Sequence, residues 1–246
     1  LAISGYHALN FIIPIFTNTK NLGIVNKESI VSAGHLFKKL IKKYKVNLTP
    51  LDSEHYSLYN FFDNNFNLDI NKINKIYLTA SGGPFLNYKS KQLYNVPFNK
   101  VVKHPKWKMG YKNSIDSATM VNKCLEIIEA HYIFDLKFDK LDILVHPEAL
   151  VHSVIEYKDY TSVLNYFHHD MSIPIYNFLS NIIKKKKLLK ISNESDFANS
   201  LNINLSPPNL KQFPILKIFN EIDKSDYSNF IKFNCANEFA VNLFVK

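Results

Sequence analysis

The sequence predicts an α/β segment, then an α+β body, then a helical end, and three observations carry that class. Short β-prone runs alternate with longer helical stretches over 1–51, as at the end of a parallel α/β sheet. Residues 52–183 hold further short β-prone runs around a helix with clustered polar side chains. From 184 onward the chain turns polar, through Ser192-Asn193-Glu194-Ser195-Asp196 and Pro207-Pro208, which reads as a linker to two helical stretches in 184–246.

Taken in order, a strand runs into Ser4-Gly5, a helix covers Phe11 to Phe16, a strand covers Leu22 to Val25, and a long helix covers Ile30 to Lys45. Val46 to Leu51 is another β-prone run, which places Asp52 and Glu54 at the C-terminal end of a strand. In extended chain residues two apart point the same way, so these carboxylates converge. Held together they repel unless a cation or a shared proton relieves them. An acidic turn at a strand end is the plain alternative. Tyr77 to Ala80 forms a strand entering Ser81-Gly82-Gly83-Pro84-Phe85. Paired glycines mark a turn, and they also let backbone N–H groups approach a phosphate while Ser81 adds a hydroxyl. His104-Pro105-Lys106-Trp107-Lys108-Met109-Gly110 carries the one tryptophan of the chain. Its apolar side chains call for cover, either against the domain body or as a lid over a ligand.

A helix over Ser117–Glu129 gathers a hydroxyl, an amide, an ammonium and a carboxylate. Asn122 and Glu126 are four apart and Lys123 and Glu126 three apart, so they are neighbours, with Ala118, Val121, Leu125 and Ile128 as the opposing apolar stripe. Ser117 falls near the start of this helix, where free N–H groups favour an anion. The alternative is an amphipathic surface helix with one ion pair. Glu126 would add a third carboxylate to Asp52 and Glu54, and an all-oxygen set favours Mg²⁺ or Mn²⁺ over zinc. Strands follow at Asp142 to His146, Val151 to Tyr157 and Ser162 to Phe167, then helices at Ile215 to Glu221 and Cys235 to Val245. His146 and His152 read as structural histidines; His168 and His169 diverge on a strand and make no metal pair.

The formal charge of +9 would suit an anionic partner, but the lysines are scattered. The dense run Lys184-Lys185-Lys186-Lys187 has no interleaved aromatics and reads as a solvated loop or helix end, so no nucleic-acid partner is expected. Cys124 and Cys235 lie far apart outside any Cys-x-x-Cys pattern, which points to free thiols in a reducing compartment. No apolar run approaches the ~20 residues that cross a bilayer, and no signal peptide is evident, so no membrane partner is expected.

Asn26-Lys27-Glu28-Ser29, Asp52-Ser53-Glu54-His55, Ser81 to Phe85, His104 to Gly110, and Asp116 to Met120 running through Asn122-Lys123 to Glu126 occur in the order and spacing of 1-deoxy-D-xylulose 5-phosphate reductoisomerase. His146-Pro147 with His152-Ser153, Asp170-Met171 with Pro174-Ile175, and Ala236-Asn237-Glu238 continue the match. The sequence therefore resembles that family from end to end, least between Asn177 and Lys211.

The resemblance implies conversion of 1-deoxy-D-xylulose 5-phosphate to 2-C-methyl-D-erythritol 4-phosphate, by a rearrangement and then a reduction, with NADPH and Mg²⁺ or Mn²⁺. It implies three parts: 1–51 as the C-terminal end of a Rossmann-like NADPH-binding domain, 52–183 as the catalytic domain with a flap at 104–110, and 184–246 as a linker and the start of a C-terminal helical domain. By motif position Asp52, Glu54 and Glu126 resemble the metal ligands, and Lys27 the lysine beside them. Ser81, Ser117, Asn122 and Lys123 resemble the phosphate shell. Ser53 and His104 resemble further substrate contacts, Trp107 and Met109 the flap, and Asn26, Glu28 and Gly110 positions near the dinucleotide. A homodimer is expected, in bacterial cytoplasm or alternatively a plastid or apicoplast stroma.

Departures from the pattern shape other expectations. No Gly-x-Gly-x-x-Gly turn is present, so this polypeptide alone is expected to bind NADPH poorly, as a fragment or as a chain that lost its cofactor half. Tyr56-Ser57 replaces Asn-Ala, Cys124 replaces a small residue, and Asn177-Phe178-Leu179-Ser180-Asn181 replaces a tryptophan turn. Other readings are a different metal-dependent, NADPH-linked enzyme acting on a sugar phosphate, and a non-catalytic remnant.

Overall fold

A computed structural model describes residues 1–63, 69–107, 109–183 and 202–246. A 3-10 turn over Tyr6–Phe11 leads to α1 (Ile12–Asn18), β1 (Asn21–Ile24), α2 (Lys27–Tyr44) and β2 (Asn47–Pro50). β1 and β2 pair in parallel with Leu22 opposite Leu48, and α2 is the crossover between them. Asn26 caps α2 by accepting the Ser29 N–H at 3.0 Å, and Lys45 ends it in the left-handed region at φ 53°. Ile12, Phe16, Ile24, Ile30 and Phe37 fill the core beneath this unit. The strand expected before Ser4 does not form. Residues there run beside β1, where the Val25 N–H reaches the Leu1 carbonyl at 3.0 Å, but they make no regular ladder.

A second sheet holds β3 (Ile73–Ala80), β4 (Leu141–Val145), β5 (Val151–Tyr157) and β6 (Ser162–Tyr166) in the order β4-β3-β5-β6. β3 is parallel to β4 and antiparallel to β5, and β6 pairs antiparallel to β5. This is the mixed α/β and α+β class the sequence predicts. α3 (Ser53–Asp63) follows β2, and between β3 and β4 lie α4 (Phe98–Val101), α5 (Tyr111–Thr119) and α6 (Val121–Phe134). Leu125 and Ile128 of α6 pack with Ile76 and Leu78 of β3 in the largest core, together with Leu58 and Phe230, all nearly excluded from solvent. Burial of each such side chain contributes about 1.5–3 kcal/mol, so α6 is fixed by its inner face.

α7 (Ser172–Ile183), α8 (Pro214–Glu221) and α9 (Ser228–Val245) complete the described elements. α9 begins at Ser228 rather than Cys235, because Phe230 and Phe233 join the core one turn earlier than the expected start. Asn177 to Asn181 lie within α7. The expected linker residues Ser192 to Asp196 and the lysine run Lys184 to Lys187 fall outside the described residues, as does Lys108. Just before Pro207-Pro208, Ser206 forms an antiparallel bridge with Val145 on β4.

Candidate active site

The strand ends set the site. Asn26 and Lys27 follow β1, Asp52 follows β2, Ser81 follows β3, and Ala149 lies in the loop after β4; all of them line one cavity of about 210 Å³. The crevice at the carboxyl ends of parallel strands is where α/β sheets expose backbone and loop side chains to a ligand.

Two local expectations are corrected. Glu54 is not on a strand: α3 (Ser53–Asp63) begins directly after Asp52, so the two carboxylates meet across a helix start rather than through the alternation of extended chain. A carboxylate in the first turn is favoured by the free N–H groups and the helix dipole. Ser117 is not near a helix start either. It lies in the last turn of α5, and Met120, in the left-handed region at φ 67°, breaks the chain before α6 begins at Val121. That break lets the end of α5 and the first turns of α6 face the same cavity. The predicted apolar stripe is buried, but so are Lys123 and Glu126, and α6 is a core helix rather than a surface one.

The charged centre is compact. Ligand atoms of Asp52, Glu54 and Glu126 all lie within 4.8 Å of one another. Lys27 Nζ is hydrogen-bonded to Asp52 Oδ2 and stands 3.6 Å from Glu126 Oε1. Lys123 Nζ donates to Glu54 Oε1 at 2.7 Å and to Glu126 Oε2 at 2.6 Å, and Asn122 Nδ2 donates to Glu126 Oε1. Burial works against both ammonium groups, but the surrounding carboxylates outweigh it and raise both pKa values. Burial likewise opposes ionised Asp52, yet Lys27 holds its carboxyl well below the usual range; Glu54 is also lowered, with Lys123 outweighing its burial. Glu126 goes the other way: burial and the neighbouring Glu54 push it up to about 7.

Three oxygen donors sharing two ammonium groups, one of them holding on to its proton, form a set that suits a hard divalent cation. A cation among them would displace Lys123 from Glu54 and Glu126 and free its ammonium for another anion.

In the same cavity, Ser81 Oγ meets His104 Nε2 at 3.1 Å, while His104 Nδ1 accepts the Trp107 N–H at 2.8 Å. Nδ1 is therefore the acceptor and Nε2–H donates to Ser81. Burial pushes His104 down to about 4, with Glu54 opposing and Lys123 adding to the shift, so the ring is neutral at pH 7. Trp107 is half-buried, its ring 5.8 Å from that of His169 and 6.4 Å from that of His152. Ser53, Met109, Asn122, Asn26 and Glu28 also line the cavity; Gly110 does not, and serves as the N-cap residue of α5.

Sequence reasoning missed several residues. Asn113, Met171 and Thr79 line the cavity; Met171 and Thr79 fall within segments the sequence marks, but nothing there singles out their side chains. His152 lines it too, although its Nε2 bonds the Phe167 carbonyl at 3.0 Å in the structural manner expected. Behind the carboxylates, His55 Nδ1 lies 3.7 Å from both Asp52 and Glu129. Glu129 is three residues beyond Glu126 on one helix face, a spacing that could have found it.

Comparison with known proteins decides the family. Residues 48–134 match the 1-deoxy-D-xylulose 5-phosphate reductoisomerase C-terminal domain, and residues 168–246 match the DXP reductoisomerase C-terminal domain. The reductoisomerase of Pelagibacter ubique is 41% identical over 99% of this chain and 61% of its own length. That of Wolbachia sp. subsp. Drosophila simulans (strain wRi) is 40% identical over 100% of this chain and 62% of its own. The chain belongs to the DXP reductoisomerase family. It spans about three-fifths of the length of these curated relatives. A solved DXP reductoisomerase (DOX-P reductoisomerase) in complex with NADPH, fosmidomycin and magnesium superposes with a TM-score of 0.88 at 35% identity, over 99% of this chain and 61% of that one. The Zymomonas mobilis DXP reductoisomerase in complex with NADPH gives 0.83 at 32% identity, again over 99% and 61%.

Proposed function

We propose that this chain carries the metal- and substrate-binding part of a DXP reductoisomerase, acting in the NADPH-dependent rearrangement and reduction of 1-deoxy-D-xylulose 5-phosphate to 2-C-methyl-D-erythritol 4-phosphate. The observation that carries the reading is the meeting of Asp52, Glu54 and Glu126 beside Lys27 in one cavity that Ser81, His104 and Ser117 also line. Residues 1–51 belong, in this reading, to the end of the dinucleotide-binding domain, 52–183 to the catalytic domain and 184–246 to the linker and helical end. The related structures named with NADPH and with magnesium support both cofactors here.

Asp52, Glu54 and Glu126 would hold Mg²⁺ or Mn²⁺, which supplies Lewis-acid polarisation and a template for neighbouring substrate oxygens. Lys27 keeps a fixed positive charge where negative charge develops on those oxygens. Ser81, Ser117 and Asn122 offer directional donors to the phosphate, and Lys123, released from the carboxylates, brings the charge. His104 orients Ser81, and Ser53 backs Glu54, to which its hydroxyl donates. Trp107 and Met109 cover the cavity and exclude water. Asn26, Glu28 and Gly110 lie on the dinucleotide side. Two copies pairing as a homodimer in the cytoplasm complete the proposal.

Mn²⁺ titration followed by electron paramagnetic resonance tests it. Tight Mn²⁺ binding, weakened roughly a hundredfold by Glu126→Gln with the fold retained, is the expected result. Wild-type affinity in that variant would remove Glu126 from the ligand set and the proposal with it.

A further inference from the structure

We infer that Lys112 is a positioning residue: an ion-pair node that ties the base of the 104–110 segment to the start of α2 and to α9, and so presents Trp107 and Met109 over the cavity. The inference rests on the reading of that segment as the cover of a phosphate-bearing ligand.

Lys112 lies in the first turn of α5, directly beyond Gly110. Its ammonium is 3.2 Å from Glu28 Oε1 and is bonded to Asp116 Oδ2 one turn further on. The remaining oxygens are matched singly: Asn26 Nδ2 donates to Glu28 Oε2 at 2.9 Å, and Asn237 Nδ2 of α9 donates to Asp116 Oδ1 at 2.9 Å. The Glu28 and Asp116 side chains are 5% and 2% exposed. Lys112 is the cation shared by both acids among the described residues, so its removal leaves two buried carboxylates facing each other without a counter-charge. Glu238 of α9 adds to that pressure, with an Oε1 that is buried and has no hydrogen-bond partner among the described residues.

The placement links this node to the chemistry. Asn26 and Glu28 flank Lys27, whose ammonium holds Asp52. A Cβ on Gly110 would meet no atom of the described residues within 4 Å, so this hinge position is itself open. The N-terminal side of the cover segment is held by His104 on Ser81, and its C-terminal side is held through α5 by Lys112.

Lys112→Met in the full chain removes the charge and keeps the stem. Hydrogen exchange over 104–119 is expected to accelerate by roughly tenfold while the amides of β3 and β5 stay protected. Mn²⁺ affinity should stay within about twofold, because Asp52, Glu54 and Glu126 are untouched, and the affinity for fosmidomycin in the presence of Mn²⁺ should fall by roughly tenfold. Lys112→Arg should restore most of that loss. Unchanged exchange over 104–119, or Mn²⁺ and fosmidomycin affinities falling together, would overturn the inference. Should Lys112→Met fail to fold, Glu28→Gln is the milder break: faster exchange over 104–119 supports the node, and wild-type exchange overturns it. A wild-type chain that binds no fosmidomycin with Mn²⁺ counts against the proposed function, while exchange still decides the role of Lys112.

Discussion

His104 illustrates how much one neutral side chain can organise. Its Nδ1 accepts the backbone N–H groups of Lys106 and Trp107 at 3.2 and 2.8 Å, and its Nε2 serves Ser81. A protonated ring would lose the acceptor and release the turn. Because burial first, and Lys123 after it, push the ring down to about 4, it holds the turn in place from pH 5 upward. His104→Phe should therefore free Trp107 without unfolding the chain: fluorescence anisotropy of this single indole falls, while stability to urea changes by less than about 1.5 kcal/mol, since the freed N–H groups lie where water can reach them. Unaltered anisotropy would mean that the indole is held by its ring contacts with His152 and His169 instead. Lys27, Lys123 and Glu126 make the complementary point. Each is a charged group the protein buries, and each is tolerable only because the others surround it.

Among elements, the Ser81-Gly82-Gly83 turn packs backbone to backbone against α5. Gly83 sits at φ +66°, and a Cβ there would come within 2.9 Å of the Ser117 carbonyl oxygen, a backbone atom that cannot swing aside. Gly83→Ala should cost roughly 2–3 kcal/mol in chemical denaturation, from left-handed strain plus displacement of α5. A cost under about 1 kcal/mol would show the turn free to move away from Ser117. Elements of this kind were only partly legible in the sequence. The β3 to β6 strands and the inner stripe of α6 announce themselves by β-prone runs and by apolar spacing. The convergence of Asp52 with Glu54 was visible as an acidic pair, but not its cause: β2 ends at Pro50 and a helix starts at Ser53, which places both acids at the junction. The α5–α6 break was illegible: it turns on Met120 in a conformation that glycine usually supplies, and only tertiary packing of a 2% exposed side chain selects it. The His55–Glu129 pairing was missed because the two residues lie on different helices, and a pairing between distant segments leaves no local pattern; Glu129 is marked only by its spacing from Glu126.

For the molecule as a whole, the buried charges tie stability to pH in a definite direction. Asp52 and Glu54 have folded pKa values below the usual ones, because Lys27 and Lys123 outweigh burial; their stabilisation is present above the unfolded carboxyl range and is lost in acid. Glu126 and Glu129 are raised, mainly by burial, from 4.5 to about 7 and about 8, so the folded state keeps protons that the unfolded chain releases, and stability falls as pH rises through that window. His55 is raised from 6.5 to about 9, since Glu129 and Asp52 outweigh its burial; its contribution is complete below 6.5 and vanishes as pH climbs past 9. The three raised groups act in one direction, and the melting temperature should peak near pH 5–6 and decline toward pH 9. A loss of about 2 kcal/mol corresponds to roughly 4–8 °C for a chain of this size. A divalent cation competes with the proton on Glu126, so Mg²⁺ should raise the melting temperature more at pH 8.5 than at pH 5.5. Scanning calorimetry across that range, with and without Mg²⁺, checks both slopes. A flat profile, or a Mg²⁺ increment equal at both pH values, would mean that the carboxylate cluster is already ionised and that its lysines alone balance it.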